Sequence, residues 1–264
     1  MIEVKDVTVR FGEKTVLSHV SATFERGKTS LVIGRSGSGK TVLLKSIVGL
    51  VTVTEGEIIY DDAVFNKLDF TGQKDIRKEI GMIFQGSALF DSLNVEKNVM
   101  FPLDMFTDMT IGEKRDRVNF CLHRVNLDKV NKLSPAELSG GMKKRVAIAR
   151  AIALNPKYLL CDEPNSGLDP QTSIVIDNLI REITEEYNMT TIINTHDMNS
   201  VLEIGDKVTF IYEGHVEWEG TKNDILHSHN KYLDDFVFAS ELGKKIKASA
   251  VKVKSDEQKT KSEA

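Results

Sequence analysis

The run Gly34-Arg35-Ser36-Gly37-Ser38-Gly39-Lys40-Thr41 has the spacing G-x-x-x-x-G-K-[ST]. Glycines at these positions let successive backbone N–H groups turn inward around phosphate oxygens. An apolar stretch, Leu31-Val32-Ile33, precedes the run, and a helical pattern from Thr41 to Val48 follows it. The helix N-terminus would therefore add its partial positive charge to the loop. Lys40 is placed to reach β- and γ-phosphates, and Thr41 to offer its hydroxyl to Mg²⁺. Far downstream, Tyr158-Leu159-Leu160-Cys161-Asp162-Glu163 reads as an apolar strand ending in two carboxylates. Sites in parallel sheets open at the carboxyl ends of the strands, which puts both acids beside the phosphates. Asp162 suits holding Mg²⁺ through its water shell, and Glu163 suits orienting or deprotonating an attacking water.

The elements that must hold these groups follow from pattern. Ile2, Val4, Val7, Val9 and Phe11 alternate with polar residues and meet a turn at Gly12-Glu13-Lys14; a second run, Val16 to Phe24, closes on Glu25-Arg26-Gly27-Lys28. These predict an antiparallel β section. Gly56 to Tyr60 and Ile80 to Phe84 are further strand candidates. From about residue 87 to 154 the chain reads as mostly helical, with helices over Arg115–Val125 and Lys143–Leu154, the latter stopped by Asn155-Pro156. Beyond it strand-like and helix-like segments alternate: Tyr158–Cys161, Thr172–Tyr187, Thr190–Thr195, Met198–Ile204 and Lys207–Tyr212. That alternation implies a parallel sheet covered on both faces. Val175/Ile176, Leu179/Ile180 and Ile183 are expected to form the stripe by which one helix lies on the sheet. Cys161 is expected in the core.

Composition narrows the class. The chain has 264 residues, 41% hydrophobic and 28% charged, with 35 basic and 39 acidic residues for a net charge of −4. Such a balance supports a real core and argues against a general nucleic-acid partner. No run approaches the roughly 18 apolar residues of a membrane span, and Met1-Ile2-Glu3-Val4-Lys5-Asp6 lacks the order of a signal peptide. Asn188-Met189-Thr190 is then an incidental triplet, and Cys121 and Cys161 have neither disulfide nor zinc spacing. A soluble protein of a reducing compartment is expected, with one domain over residues 1–242. The tail from Gly243 to Ala264 carries seven lysines and three acids and is expected to be disordered and solvated; the alternative is weak contact with an anionic membrane surface or an acidic partner, which the interspersed acids weaken.

Leu138-Ser139-Gly140-Gly141-Met142, with Ser139 lying 23 positions before Asp162, resembles the signature motif of ATP-binding cassette (ABC) proteins. The resemblance extends from about residue 2 to residue 240. Ser-Gly-Gly opening a helix is a second anion site, and one chain with one phosphate loop leaves it without a nucleotide of its own. A symmetric dimer supplies that nucleotide. The resemblance implies an α/β fold: a P-loop ATPase with an N-terminal antiparallel β subdomain, a RecA-like parallel-sheet core and an inserted helical subdomain. It further implies a homodimer holding ATP and Mg²⁺ in a sandwich, to which the partner offers its Ser139, Gly140, Gly141 and Asp169. Phe11 stands where the family stacks an aromatic on adenine. Gln85 matches the glutamine that senses Mg²⁺ and the attacking water, and Ser166-Gly167-Leu168-Asp169 the loop that crosses to the other subunit. His196 matches the switch histidine at the γ-phosphate. Asn165 stands where threonine is commoner. Lys40, Asp162, Glu163 and His196 together imply active hydrolysis.

Lys40 and Ser139 are only 99 residues apart, too close for the coiled coil of chromosome-maintenance relatives. One cassette excludes the two-cassette translation-factor type, and Glu163 disfavours a regulator without turnover. What remains is a peripheral subunit on the cytoplasmic face of the inner membrane, serving a separate permease. Phe84-Gln85-Gly86-Ser87-Ala88-Leu89-Phe90-Asp91-Ser92-Leu93-Asn94-Val95 and Thr195-His196-Asp197-Met198 resemble the ATPase subunits of MCE/Mla-type phospholipid transporters. That implies lipid transport with an MCE-domain partner, and polar-solute import is the alternative. Ala88-Leu89-Phe90 is expected to be an apolar anchor for a permease helix.

Overall fold

The computed structural model describes residues 1–239; the lysine-rich tail lies outside the described residues. Strands β1 (Ile2–Phe11) and β2 (Lys14–Phe24) form a hairpin, and β3 (Thr29–Ile33) follows at once. Helix α1 (Lys40–Ile47) leads to β4 (Glu55–Tyr60), the short β5 (Ala63–Val64), α2 (Phe70–Lys78) and β6 (Ile80–Ile83). Three helices come next, α3 (Val95–Phe106), α4 (Ile111–Arg124) and α5 (Gly140–Ala151). The chain then alternates through β7 (Tyr158–Asp162), α6 (Pro170–Glu186), β8 (Thr190–Asn194), α7 (Met198–Ile204), β9 (Lys207–Tyr212) and β10 (His215–Gly220). Two short helices, α8 (Lys222–Ile225) and α9 (Lys231–Val237), complete it.

Two sheets result. An antiparallel one runs β2-β1-β4-β5, and a larger one runs β10-β9-β3-β8-β7-β6. In the larger sheet β9, β3, β8, β7 and β6 are parallel, and β10 is an antiparallel edge. The central strands are buried on both faces, which is why they read as unbroken apolar runs. Their period-2 alternation deals side chains to two cores. Val32, Leu160, Ile192 and Ile211 face α1 and the antiparallel sheet. Leu31, Ile33, Leu159, Cys161 and Ile193 face α3–α6. Because β3, β7 and β8 are neighbours and all point the same way, their carboxyl ends converge at one edge.

Several expectations shift in detail. Helix α4 begins at Ile111 rather than Arg115: Ile111 is exposed, so the apolar pattern starts late, while a Thr110–Glu113 capping box marks the true start. Helix α5 starts at Gly140, with Ser139 as its cap. On α6 the buried stripe is Ile176, Leu179, Ile180 and Ile183, and Val175 is exposed. The elements α2, β5, β10, α8 and α9 have patterns too short or too mixed for periodicity to register.

Candidate active site

The phosphate loop is a tight fit. Gly34, at φ 151°, passes so close to β9 that an added Cβ would lie 2.3 Å from the Ile211 carbonyl oxygen. Gly39 caps α1 at φ 111°, and a Cβ there would lie 2.6 Å from Leu17. Glycine is thus required at both ends of the loop on steric grounds. The first N–H groups of α1 have no partner within the helix and open onto the loop. Lys40, only 6% exposed, curls back so that Nζ donates to the carbonyl oxygens of Gly34 (2.8 Å) and Arg35 (3.1 Å). Burial lowers its pKa, while Glu163 and Asp162 hold it up. The ammonium therefore lies inside the loop, where a phosphate would receive it. Arg35, Ser36 and Gly37 are exposed, and the buried hydroxyl of Ser38 has no partner.

At the end of β7 the two carboxylates part. Asp162 turns inward, and its Oδ1 accepts from Thr41 Oγ1 (3.1 Å) and Asn194 Nδ2 (3.2 Å). Glu163 sits at φ 47°, a conformation costly for a residue with a side chain. Its N–H donates to the carbonyl oxygen of Asn194 at 2.9 Å. The turn aims its carboxylate at two other loops. Gln85 Nε2 donates to Oε2 (2.9 Å), and His196 Nδ1 donates to Oε1 (3.0 Å). Behind them Lys144, 5% exposed, donates from Nζ to the carbonyl oxygen of Gln85 and lies 3.5 Å from that of Glu163. Burial lowers the pKa of Lys144, against an opposing pull from Glu163.

These groups border one open cavity of about 520 Å³. Ser36, Gly37, Gly39, Lys40 and Thr41 line one side, and Gln85, Glu163 and His196 the other. Asp162 and Asn194 meet Thr41 from the sheet edge. A hydroxyl beside a carboxylate, with the buried Asn194 Oδ1 unpartnered next to them, is an all-oxygen set of the kind that takes Mg²⁺ together with phosphate. No cluster of three or more His, Cys, Asp or Glu side chains suited to a metal occurs among the described residues.

Other expected residues stand apart. Phe11, at the end of β1, is 51% exposed and does not border the cavity. Ser139, Gly140, Gly141 and Asp169 do not border it either. Instead, Ser139 Oγ accepts from the Met142 N–H that opens α5 (3.2 Å), and Asp169 Oδ1 accepts from the Thr172 N–H that opens α6 (3.0 Å). A Cβ on Gly141 would lie 2.8 Å from Thr172, so the two helix starts abut on one surface. Burial raises the thiol pKa of Cys161 strongly and that of Cys121 to about 11, which leaves both as packing residues. Sequence reading missed Lys144, Asn194 and the partners of Asn165. Asn194 and Asn165 flank motif residues, but nothing in their spacing marks them.

Known proteins share this sequence and fold. The ABC transporter family model matches residues 17–166. The chain is 37% identical over 237 residues to the intermembrane phospholipid transport system ATP-binding protein MlaF of Haemophilus influenzae, covering 90% of each chain. It is also 37% identical over 257 residues to the methionine import ATP-binding protein MetN of Campylobacter jejuni, covering 91% of this chain and 76% of that one. Among solved structures it is similar to a dimeric ATP-binding cassette in a post-hydrolysis state bound to ADP and Pi. That likeness has a TM-score of 0.77 and 35% identity, and covers 84% of this chain and 99% of that one. On this family match and these identities, the chain belongs to the ATP-binding subunits of ABC transporters and is an ATPase.

Proposed function

We propose that this chain hydrolyses ATP to drive phospholipid movement through a separate permease, acting as a homodimer. The observation that carries the hydrolytic reading is the Gln85–Glu163–His196 cluster facing the loop that holds Lys40. ATP phosphates entering that loop take over the N–H groups of residues 34–41 and the ammonium of Lys40, which gives up its carbonyl partners. Glu163 accepts the proton of the water that attacks the γ-phosphorus. His196 orients Glu163 through Nδ1 and presents the rest of its ring to a γ-phosphate oxygen. Gln85 fixes the other carboxylate oxygen. Thr41 and Asp162, with Gln85 nearby, would hold Mg²⁺, which supplies charge neutralisation across the β- and γ-phosphates. The exposed surface at Ser139, Gly140, Gly141 and Asp169 then serves the partner's nucleotide, and Phe11 stacks on adenine.

Glu163→Gln should bind ATP, accumulate as an ATP-bound dimer in size-exclusion chromatography, and lose turnover by about 100-fold or more. Hydrolysis at the normal rate would remove Glu163 from the role of base.

For the transport partner, support comes from the phospholipid-transport relative and from a groove of about 380 Å³ on the far side of Gln85. Phe84, Ala88, Phe90, Phe101 and Phe106 line it, an apolar trough of the kind that receives a short amphipathic helix. Among the described residues no helix is long and apolar enough to cross a membrane. By its likeness to the phospholipid-transport relative, the chain works at the cytoplasmic face of a separate permease, with an MCE-domain protein in the same assembly. Import of a polar solute is the second reading, favoured by the comparable identity to the methionine-import relative. Mass spectrometry of what copurifies from detergent-solubilised native membranes separates the two. A permease with an MCE-domain protein and phospholipid supports the first; a permease with a periplasmic solute-binding protein replaces it.

A further inference from the structure

A polar cluster, almost sealed from solvent, lies below the active site at the junction of α6 and α7. Asp177 on α6, Asn165 and Ser200 on α7 are 3%, 6% and 1% exposed. Ser200 Oγ donates to Asp177 Oδ2 at 2.6 Å. Asn165 Nδ2 lies 3.2 and 3.3 Å from the two oxygens of Asp177 and 2.9 Å from Ser200 Oγ. Asn165 and Ser200 thus converge on one carboxylate, that of Asp177.

Their places in the chain give the cluster its meaning. Asn165 is two residues after Glu163, and Ser200 is four after His196. Asp177 is eight residues, roughly two helical turns, beyond Asp169, which caps the same helix. The segments that carry Glu163 and His196 are both irregular. Glu163 stands at positive φ, and Asp197 must cap α7 through Asn199 at 2.8 Å before the helix begins. Beyond β7 and β8 backbone bonds hold only the first residue of each segment to the sheet, Glu163 N–H to the Asn194 carbonyl oxygen (2.9 Å) and Thr195 N–H to that of Val32 (3.1 Å), yet the Glu163 and His196 side chains meet at 3.0 Å. An apolar trio would pack this junction without the desolvation cost of a buried carboxylate, whereas directed hydrogen bonds fix relative position.

From this we infer that Asp177, Asn165 and Ser200 are positioning residues for ATP hydrolysis: the Asp177 carboxylate anchors the Glu163 segment and the His196 segment to one point on α6, holding the Glu163–His196 pair in register with the phosphate loop. The inference rests on the reading of Glu163 as base. Asn165 suits this role because its amide reaches both Asp177 and Ser200 at once.

The test uses the full chain, with Ser200→Ala, Asn165→Ala, Asp177→Asn and Glu163→Gln assayed for ATP turnover and for binding of a fluorescent N-methylanthraniloyl-ATP. Rates are normalised to the binding-competent fraction, so a variant that folds incompletely is not misread. Ser200→Ala and Asn165→Ala should each lower kcat about tenfold, with KM for ATP within about twofold of the parent. Asp177→Asn, whose amide can still accept from Asn165 and donate to Ser200, should keep kcat within about threefold. If Ser200→Ala and Asn165→Ala keep full normalised kcat while Glu163→Gln is inactive, the positioning role is wrong and the base assignment stands. Equal losses in kcat and binding-competent fraction would make the cluster merely structural and also overturn the inference. If Glu163→Gln remains active, the underlying reading of the base fails instead.

Discussion

At the scale of single residues, the site is governed by where two buried ammonium groups sit. Lys40 lies in the mouth of the loop with carbonyl oxygens for company, a set of bonds weaker than those it can make to phosphate. Lys144 is different: it faces away from the cavity and grips the backbone of Gln85 and Glu163 from behind. A buried cation that donates to two backbone carbonyl oxygens steadies the loops that carry them. Lys144→Met should therefore lower kcat by about tenfold while leaving ATP affinity within about twofold, and Lys144→Arg should recover part of the loss. Steady-state turnover beside nucleotide titration checks it. An equal fall in affinity would mean that Lys144 supports the loop of residues 34–41 as well.

At the scale of elements, what matters is that irregular segments are hung from regular ones. The Gln85 segment is pinned by α5, whose Arg150 donates to the carbonyl oxygens of Ser87 (2.8 Å) and Ala88 (2.7 Å), both residues at positive φ. The Glu163 and His196 segments are pinned to α6 by Asp177. Burial raises the Asp177 pKa to about 6, helped by Asp197 and Glu203 and opposed by its bonds to Ser200 and Asn165. Because the folded pKa lies above the ordinary carboxyl value of 3.8, this group's contribution to stability is fully present below that value. It is lost as pH rises through about 6, so that by neutrality the fold has given up about 3 kcal/mol relative to the protonated form. Asp177→Asn carries no such charge, so its unfolding free energy should match the parent near pH 4 and exceed it by up to about 3 kcal/mol at pH 7. Denaturant melts at the two pH values decide this; a pH-independent difference would mean that the carboxyl does not titrate in that window.

At the scale of the whole molecule, the nucleotide cavity and the apolar groove lie on either side of one short segment, residues 84–90. Gln85 lines the former, and Phe84, Ala88 and Phe90 the latter. Phe90 is 41% exposed and rests against Phe101 at 4.7 Å. Leu89, expected in the same anchor, instead packs against the larger core, so its substitution would damage the fold as well as the groove. Phe90→Asp is the cleaner probe. It should abolish recovery of the permease complex from membranes while leaving nucleotide affinity within about twofold, because only one face of the segment is altered. An intact complex with Phe90→Asp would remove the groove as the docking site.

The phosphate loop, the paired carboxylates and the central strands were legible in the sequence because each is local. Gly34 to Thr41 act through consecutive backbone groups, and Leu31 to Ile33 through a contiguous apolar run. The signature motif and His196 were legible through family resemblance, again as short strings. Lys144, Asn194 and the Asp177–Asn165–Ser200 cluster were not, since their partners are separated by 12 to 59 positions in the chain. A pattern read along a sequence registers periodicity and short spacings; it does not register which of many lysines or asparagines will face a particular carbonyl after three parallel strands have been laid side by side. Residue types and local spacing set the chemistry available to this protein. The packing of α5, α6 and α7 against the carboxyl ends of β7 and β8 decided which polar groups hold that chemistry in place, because a hydrogen bond demands a position that only the folded chain defines.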